Sequence, residues 1–376
     1  MPPEKLHWTH LYQEVVTSGL CTGCAACVVV CPYDVLGYDD TDGRYRPFHV
    51  EATGGAEGCT HGDRGCTLCT RACPRFRTWE AETDLHLFGR QRDPEEVSGI
   101  AADVVLARAT DPELQGAGQD GGFVSALLVW ALEHDVVDAA LVSALEGDGS
   151  TWKAVPAVAR NRADVLATAG SRYTYSANPL AYADAIAGGA ERIALVGMGC
   201  QASAPPMMAA RKAGKVARRF TLSIGLMCSK TFDDAMFPEL LEARHGLRRQ
   251  DIAKMNIKGV LQLWMRDGTY HEVPLKEAHA FTREGCKACP DFAAEHADIA
   301  TGGIGAYNDW TLTIVRTERG RAVFGAMVDG GAVEVRPADD DPGAVALMRK
   351  LSRVSRRRWP ATAVAPPGRL PAPSPA

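Results

Sequence analysis

The residues with the most chemistry to offer in this 376-residue chain are its twelve cysteines, and their spacing says what they can do. Eight fall between Cys21 and Cys73, none between 74 and 199, and four between Cys200 and Cys289. The run C-T-G-C-A-A-C-V-V-V-C-P sets Cys21, Cys24, Cys27 and Cys31 at the C-x2-C-x2-C-x3-C-P spacing. Three thiolates spaced this way wrap a loop around one face of an iron–sulfur cubane, and in two-cluster ferredoxins the fourth ligates the other cluster. Gly23 permits the tight backbone path, and Pro32 ends the loop without a competing amide hydrogen.

A second copy follows at Cys59, Cys66, Cys69 and Cys73, the last followed by Pro74. Six residues (THGDRG) separate its first two cysteines, a longer loop that adds little to the closure entropy. The crossover rule groups Cys21, Cys24, Cys27 and Cys73 around one [4Fe–4S] cluster and Cys59, Cys66, Cys69 and Cys31 around the other. Zinc and disulfides are the competing uses, but zinc sites pair C-x2-C motifs and do not use a C-x2-C-x2-C triplet. His61 lies in a polar loop where a solvated side chain is the simpler reading. Arg64, Arg71 and Arg75 can dock an acidic partner or tune a cluster, or can lie on a solvated surface.

The remaining cysteines are Cys200, Cys228, Cys286 and Cys289. Cys200 and Cys228 each close an apolar run (ALVGMGC, SIGLMC), and Cys286-x2-Cys289-Pro290 reads as a loop. In an α/β sheet the strand ends gather in the ligand crevice, so these four thiols can converge on a third cluster. A zinc site made by all four, or buried free thiols at Cys200 and Cys228, remain open.

The elements that must position these groups alternate from Ala101 onward. DVVLARA (103–109), ALVSAL (140–145), AVPAVA (154–159), RIALVG (192–197), FTLSIGLM (220–227), TLTIVRT (311–317) and AVEVR (332–336) read as strands. Helices are expected over 121–134, from Asn178-Pro179, over 202–213 and over 320–328, and a hairpin around Asp267-Gly268. The fold class is α/β (α+β overall): an N-terminal ferredoxin-like two-cluster domain (1–80, led by a short apolar-faced segment), a charged linker or edge helix (81–98), and a larger mixed-sheet α/β domain. The Pro- and Ala-rich stretch 359–376 is expected to be a disordered tail.

From about residue 100 to 335 the chain resembles the family of coenzyme F-420 hydrogenase and dehydrogenase beta subunits, flavin and iron–sulfur proteins that handle a deazaflavin coenzyme. The resemblance lies in GQDGGFVSALLVWALE (118–133), SRYTYS (171–176), VGMGCQ (196–201), IGLMC (224–228), CKACPDFAAEHADIATGGIG (286–305) and TIVRTERG (313–320). It divides the larger domain into an N-terminal part (99–185) and a C-terminal part (186–358) and is similar to members with a fused ferredoxin domain. Gly199 departs from the Pro that usually precedes the first cysteine. The resemblance implies that Cys200, Cys228, Cys286 and Cys289 hold a third [4Fe–4S] cluster beside FAD. The residues add modest support, because Gln119, Asp120, Gly121 and Gly122 precede a helix, where amide hydrogens can meet phosphate. A plain helix-start loop is the alternative, and no G-x-G-x-x-G fingerprint is present. Ser171, Arg172 and Tyr173 can add phosphate contact and ring stacking, and Thr301, Gly302 and Gly303 form a polar loop suited to a flavin ring.

The expected function is an FAD- and iron–sulfur-dependent oxidoreductase. It would pass electrons between coenzyme F-420 and a one-electron partner such as ferredoxin or a redox partner subunit, with hydride chemistry borne by the cofactors and no protein acid or base. The alternatives are a ferredoxin-dependent flavin reductase of an organic substrate, a zinc-binding interaction module and a non-catalytic electron-transfer subunit. A net charge of −5 without an aromatic–basic stripe argues against nucleic acid. The absence of a long apolar run argues against a membrane span, and without a visible secretory signal a cytoplasmic location is expected.

Overall fold

The computed structural model describes residues 5–50, 58–360 and 363. Strands are numbered in chain order. In the N-terminal block β1 (Leu36–Asp39) pairs antiparallel with β2 (Arg46–His49). Beyond it come β3 (Asp103–Ala109), β4 (Ala139–Leu145), β5 (Ala154–Ala159), β6 (Ile193–Met198) and β7 (Phe220–Leu226). The chain continues through β8 (Ile252–Ile257), β9 (Val260–Met265), β10 (Tyr270–Pro274), β11 (Ile299–Gly302), β12 (Thr311–Val315) and β13 (Val333–Pro337).

Eight strands make one mixed sheet in the order β13-β3-β12-β11-β7-β6-β4-β5. Its centre, β11-β7-β6-β4, is parallel, and the strands outside it on both sides pair antiparallel. Continuous apolar sequence is what a parallel strand covered on both faces requires, and Ile193–Val196 of β6 are buried throughout. Helices Phe123–Glu133 and Glu318–Asp329 cover one face with Phe123, Leu127, Val323 and Met327. On the other, Met208 and Ala185 pack with Ile193 and Leu195, and Cys24, Ala26, Val30 and Ala72 of the N-terminal block join the same apolar cluster. The cysteine-rich block is therefore built into the core of the larger domain. A separate antiparallel sheet, β10-β9-β8, carries the expected hairpin at Asp267-Gly268, where Gly268 takes φ +88° and Asp267 accepts from the Thr269 amide. No described helix is long and apolar enough to cross a membrane.

The structure adds to the sequence-based expectation in two places and departs from it in a third. The short N-terminal segment is integral to the module, with Trp8, Leu11, Val15 and Val16 packed against Cys27, Cys59, Cys69 and Cys73. The charged stretch at 81–98, expected as a linker or edge helix, begins inside a helix whose charges are buried. Helix Trp79–Phe88 buries Glu80, Thr83 and Asp84, because its charges find partners inside the protein. Arg92 holds Asp84 at 2.7 Å and contacts Glu295, Arg356 bridges Glu80 and Glu295 at 2.8 Å each, and His296 Nε2 lies 2.9 Å from Asp84. Most of the expected tail, 361–376, lies outside the described residues apart from Ala363. Trp359, placed at its start, is instead buried beside Trp79, with ring centroids 6.2 Å apart. The helix Pro342–Arg356, capped by Asp341 accepting from the Ala344 amide ahead of Pro342, was not among the expected helices and delivers Arg356 to the brace.

Burial pushes the Asp84 carboxyl up, but hydrogen bonds from Arg92 and His296 outweigh it and hold the group below its ordinary value. A depressed carboxyl contributes stability that is complete above its unfolded pKa of about 4 and is lost only as pH falls through the lower folded value. Arg92→Met, which leaves buried carboxylates without their cation, should cost roughly 3–5 kcal/mol. Thermal unfolding should show the full penalty at pH 8 and a smaller one toward pH 6, because burial raises carboxyls that have lost their cation; no penalty at pH 8 would contradict the assignment.

Candidate metal centres and coenzyme crevice

Three groups of four thiols emerge from the fold, and no disulfide joins any of the twelve. In the first, Cys27 lies in the field of Cys24, Cys73 and Cys21, and Cys73 in that of Cys24 and Cys21. The loop that carries them is tightly fixed. Gly23 takes φ +76°, a side chain there would strike the Tyr45 carbonyl and Arg283, and the Tyr38 hydroxyl donates to the Gly23 carbonyl at 2.5 Å. The second group, Cys31, Cys59, Cys66 and Cys69, lines a pocket of about 320 Å³ with Trp8, Tyr33 and His61. These sets are the ones the crossover pairing groups. The short helix Thr60–Asp63 takes up the longer loop, and the Cys59 sulfur accepts from the Gly62 amide at 3.4 Å. His61 stacks on Tyr33 with centroids 3.7 Å apart, at the rim of the pocket.

The third group, Cys200, Cys228, Cys286 and Cys289, lines a pocket of about 310 Å³. Cys200 follows β6 and Cys228 follows β7, both at the carboxyl ends of parallel strands, where an α/β sheet forms its ligand crevice. The Cys286–Cys289 loop closes over them: the Thr231 amide donates to Cys286 at 3.4 Å and Arg75 to Cys289 at 3.6 Å. Gly199 lies against the buried Asp291 carboxylate, so that a β-carbon there would collide with it.

Burial raises the thiol pKa to about 11 for Cys21 and about 12 for Cys69, and burial and then the field of Cys289 raise that of Cys200. Such thiols become thiolates when a positively charged centre supplies the compensating field, as iron does. Four sulfurs around each such space suit a cubane. No group of His, Cys, Asp or Glu arranged to hold a single metal ion occurs among the described residues.

The first and third cradles touch. Ala25 and Tyr45 share an apolar cluster with Tyr175 and Cys200, and a side chain on Gly285 would strike the Cys21 carbonyl. The second cradle lies away from this contact.

Beside the third cradle, the flavin-associated segments meet at the same strand ends. Thr301 and Gly302 end β11, and a β-carbon on Gly303 would collide with the Asp120 carboxylate. Asp120, Gly121 and Gly122 all take positive φ (44°, 90° and 69°) ahead of helix Phe123–Glu133. Side chains on the two glycines would meet the Asp309 and Leu114 carbonyls, so glycine is required. Gln119 Oε1 is buried without a hydrogen-bond partner, an acceptor open to a ligand donor. Tyr173 donates to Asn256 at 3.1 Å, and its hydroxyl also feels Ser171 and Asp120. The open Gln119 acceptor beside this turn fits an N–H donor of a bound nucleotide. Arg172 stands apart from this grouping, because its guanidinium donates to the carbonyls of Thr168, Ala169 and Gly170 behind helix Arg162–Ala167.

Sequence reasoning missed Lys258, which lies 3.3 Å from Asp120 and donates to Tyr307 and Asn308, and it missed the buried positions of Arg75 and Arg283. Lys258 sits at the turn before Gly259, and nothing in its local sequence links it to Asp120. For Arg283, the neighbouring GCKAC run was a usable signal.

Set together, the fold and the thiol groups define an iron–sulfur oxidoreductase subunit. Comparison with known proteins places it further. The family model "Coenzyme F420 hydrogenase/dehydrogenase, beta subunit" matches through its N-terminal part at residues 104–182 and its C-terminal part at 190–341, and a 4Fe-4S dicluster domain matches 20–76. The beta subunit of coenzyme F420 hydrogenase from Methanothermobacter thermautotrophicus is 33% identical over 70% of this chain and 94% of its own length. One of the subunits of the F(420)H(2) dehydrogenase from Methanosarcina mazei is 27% identical over 92% of this chain and 91% of its own. The coenzyme F420-dependent sulfite reductase of Methanocaldococcus jannaschii is 30% identical over 84% of this chain but only 47% of its own length. A chain in the F420-reducing [NiFe] hydrogenase complex from Methanosarcina barkeri superposes with a TM-score of 0.67 at 29% identity, over 70% of this chain and 91% of that one. The chain belongs to the family of coenzyme F420 hydrogenase/dehydrogenase beta subunits.

The crossover grouping has a direct readout in iron content. Cys31→Ala combined with Cys59→Ala should lose about four irons relative to the parent, whereas Cys31→Ala combined with Cys21→Ala should lose about eight, since each cubane carries four. Equal losses from the two pairs would contradict the grouping.

Proposed function

We propose that this chain passes electrons between the deazaflavin coenzyme F420 and a one-electron partner, a ferredoxin or a partner subunit, through FAD and three [4Fe–4S] clusters. The observation that carries the reading is the meeting of the Asp120–Gly122 and Thr301–Gly303 segments with the Cys200, Cys228, Cys286 and Cys289 cradle at the ends of β6, β7 and β11. When bound, the flavin supplies exchange between hydride and single electrons, and the clusters carry electrons singly.

The protein's part is positioning. Glycines at 121 and 122 give the turn its left-handed path against the Asp309 and Leu114 carbonyls, and the helix behind them adds a favourable N-terminal field for phosphate. Lys258 offers a cation at the crevice while pairing with Asp120, whose carboxyl is raised by burial and lowered in turn by that lysine. Gly302 and Gly303 let Met227 and the Asp120 carboxylate pack close against this loop, with Thr301 buried behind them. A cluster held by the third cradle would take electrons singly from that side, and the contact of Ala25 with Cys200 would set it beside one held by the first cradle. The rim of the second cradle at Tyr33 and His61 is the exit, because Tyr33 is half exposed there.

Anaerobically purified protein should oxidise reduced coenzyme F420 with a one-electron dye as acceptor, and the flavin should bleach and recover during turnover. No deazaflavin oxidation, together with flavin reduction by reduced ferredoxin, would overturn this reading and leave an organic-substrate reductase in its place.

A further inference from the structure

Arg75 and Arg283 are about 2% and 1% exposed, and neither reaches a carboxylate at ion-pair distance among the described residues. Burying a cation without a partner is costly, so some other negative charge has to balance them. Their surroundings show where that charge would be. Arg75 follows Cys73-Pro74 in the first cradle, donates to the Pro74 carbonyl at 2.6 Å and to the Cys289 sulfur of the third at 3.6 Å, and lies over the Trp79 ring at 4.4 Å. Arg283 precedes Cys286 in the third cradle and donates across to the Thr22 carbonyl of the first at 2.6 Å. It also donates to the Thr231 hydroxyl at 3.3 Å, the same threonine whose amide reaches Cys286, and stacks 3.7 Å over Tyr175. Each arginine thus starts in one cradle and ends at the other. The thiols of Cys24 and Cys200, one from each cradle, both lie in the field of both guanidinium groups. The buried Asp291 adds to the field at Arg75 without pairing with it.

We propose that Arg75 and Arg283 are positioning residues that compensate the negative charge of two thiolate-ligated clusters, one in each adjoining cradle, and raise the reduction potentials of both. The inference rests on the reading that these thiols hold clusters. Net charge and hydrogen bonds to sulfur set the potential of such a cluster, and a fixed cation between two of them favours the reduced form of each. One electron leaves one cluster and enters the other; no bond is made or broken and no proton moves. A cation shared by both sites shifts the two potentials in the same direction and so does not by itself drive them apart. Both guanidinium groups also pin the ferredoxin-type loop onto the third cradle, so charge compensation and docking are the same contacts.

The test is a redox titration of the anaerobic full-length protein, followed by electron paramagnetic resonance, with iron and sulfide counted in every sample. Arg75→Gln and Arg283→Gln should shift the cluster equilibria toward the oxidised form at least tenfold, which for one electron is about 59 mV to lower potential. Arg75→Lys should retain most of the parental midpoint, and Arg162→Gln, at an exposed ion pair far from the thiols, should leave every midpoint in place. Glutamine variants with full iron content and parental midpoints would overturn the inference. If Arg75→Gln loses iron, Arg75→Lys decides: retained iron with a near-parental midpoint supports charge compensation, and loss of iron there too overturns it in favour of packing. A parent protein that lacks iron at the third cradle would instead defeat the proposed function itself.

Discussion

Parallel pairing of β6 with β7 is the constraint on which the site depends. Parallel neighbours in register end side by side, so residues just beyond their carboxyl ends are brought together whatever their separation in sequence. Met198 pairs with Leu226, and the next residues along each strand lead to Cys200 and Cys228. β11 pairs parallel with β7 on the other side, with Thr301 opposite Leu226, and so delivers the Thr301–Gly303 loop to the same edge. Two thiols and the proposed coenzyme loop share one end of the sheet because three apolar strands run the same way. The antiparallel flanks extend the sheet without adding groups to that edge, except that β3 leads round to Asp120 and its two glycines.

Docking of the cysteine-rich block completes the arrangement. Its two short cysteine-bearing helices, Ala26–Val29 and Leu68–Ala72, bury Ala26 and Ala72 in the apolar cluster that backs β6. The block therefore has a fixed orientation, with its first cradle toward the strand ends and its second toward the surface. Apolar packing sets this position, while the Arg92 and Arg356 ion-pair brace secures the segment that leads out of the block. Buried charges held only by one another make such a joint intolerant of single losses, which explains why charged sequence there does not mean solvated chain.

Much of this was legible from residue types. The triplet spacing at Cys21, Cys24 and Cys27 specifies a cluster loop by itself, and runs such as IALVG betray a strand buried on both faces. The convergence of Cys200, Cys228 and the Cys286–Cys289 pair followed from strand ends plus family resemblance, since spacing left zinc and free thiols open. What stayed hidden depends on long-range pairing. Arg75 looked like one of several surface arginines because nothing local records that Cys289 and Trp79 close over it. Arg172 looked like a phosphate ligand, yet nearby carbonyls take its guanidinium. The burial of helix Trp79–Phe88 and Arg92 was disguised by charges whose partners, Glu295, His296 and Arg356, come from the far end of the chain.

The central claim is that three thiol cradles and one flavin site form a continuous internal path. Counting iron, acid-labile sulfide and flavin per chain in protein purified without oxygen tests it most directly. The account predicts about twelve irons, matching sulfide and one FAD. A count near eight irons, or clusters present with no flavin, would contradict it.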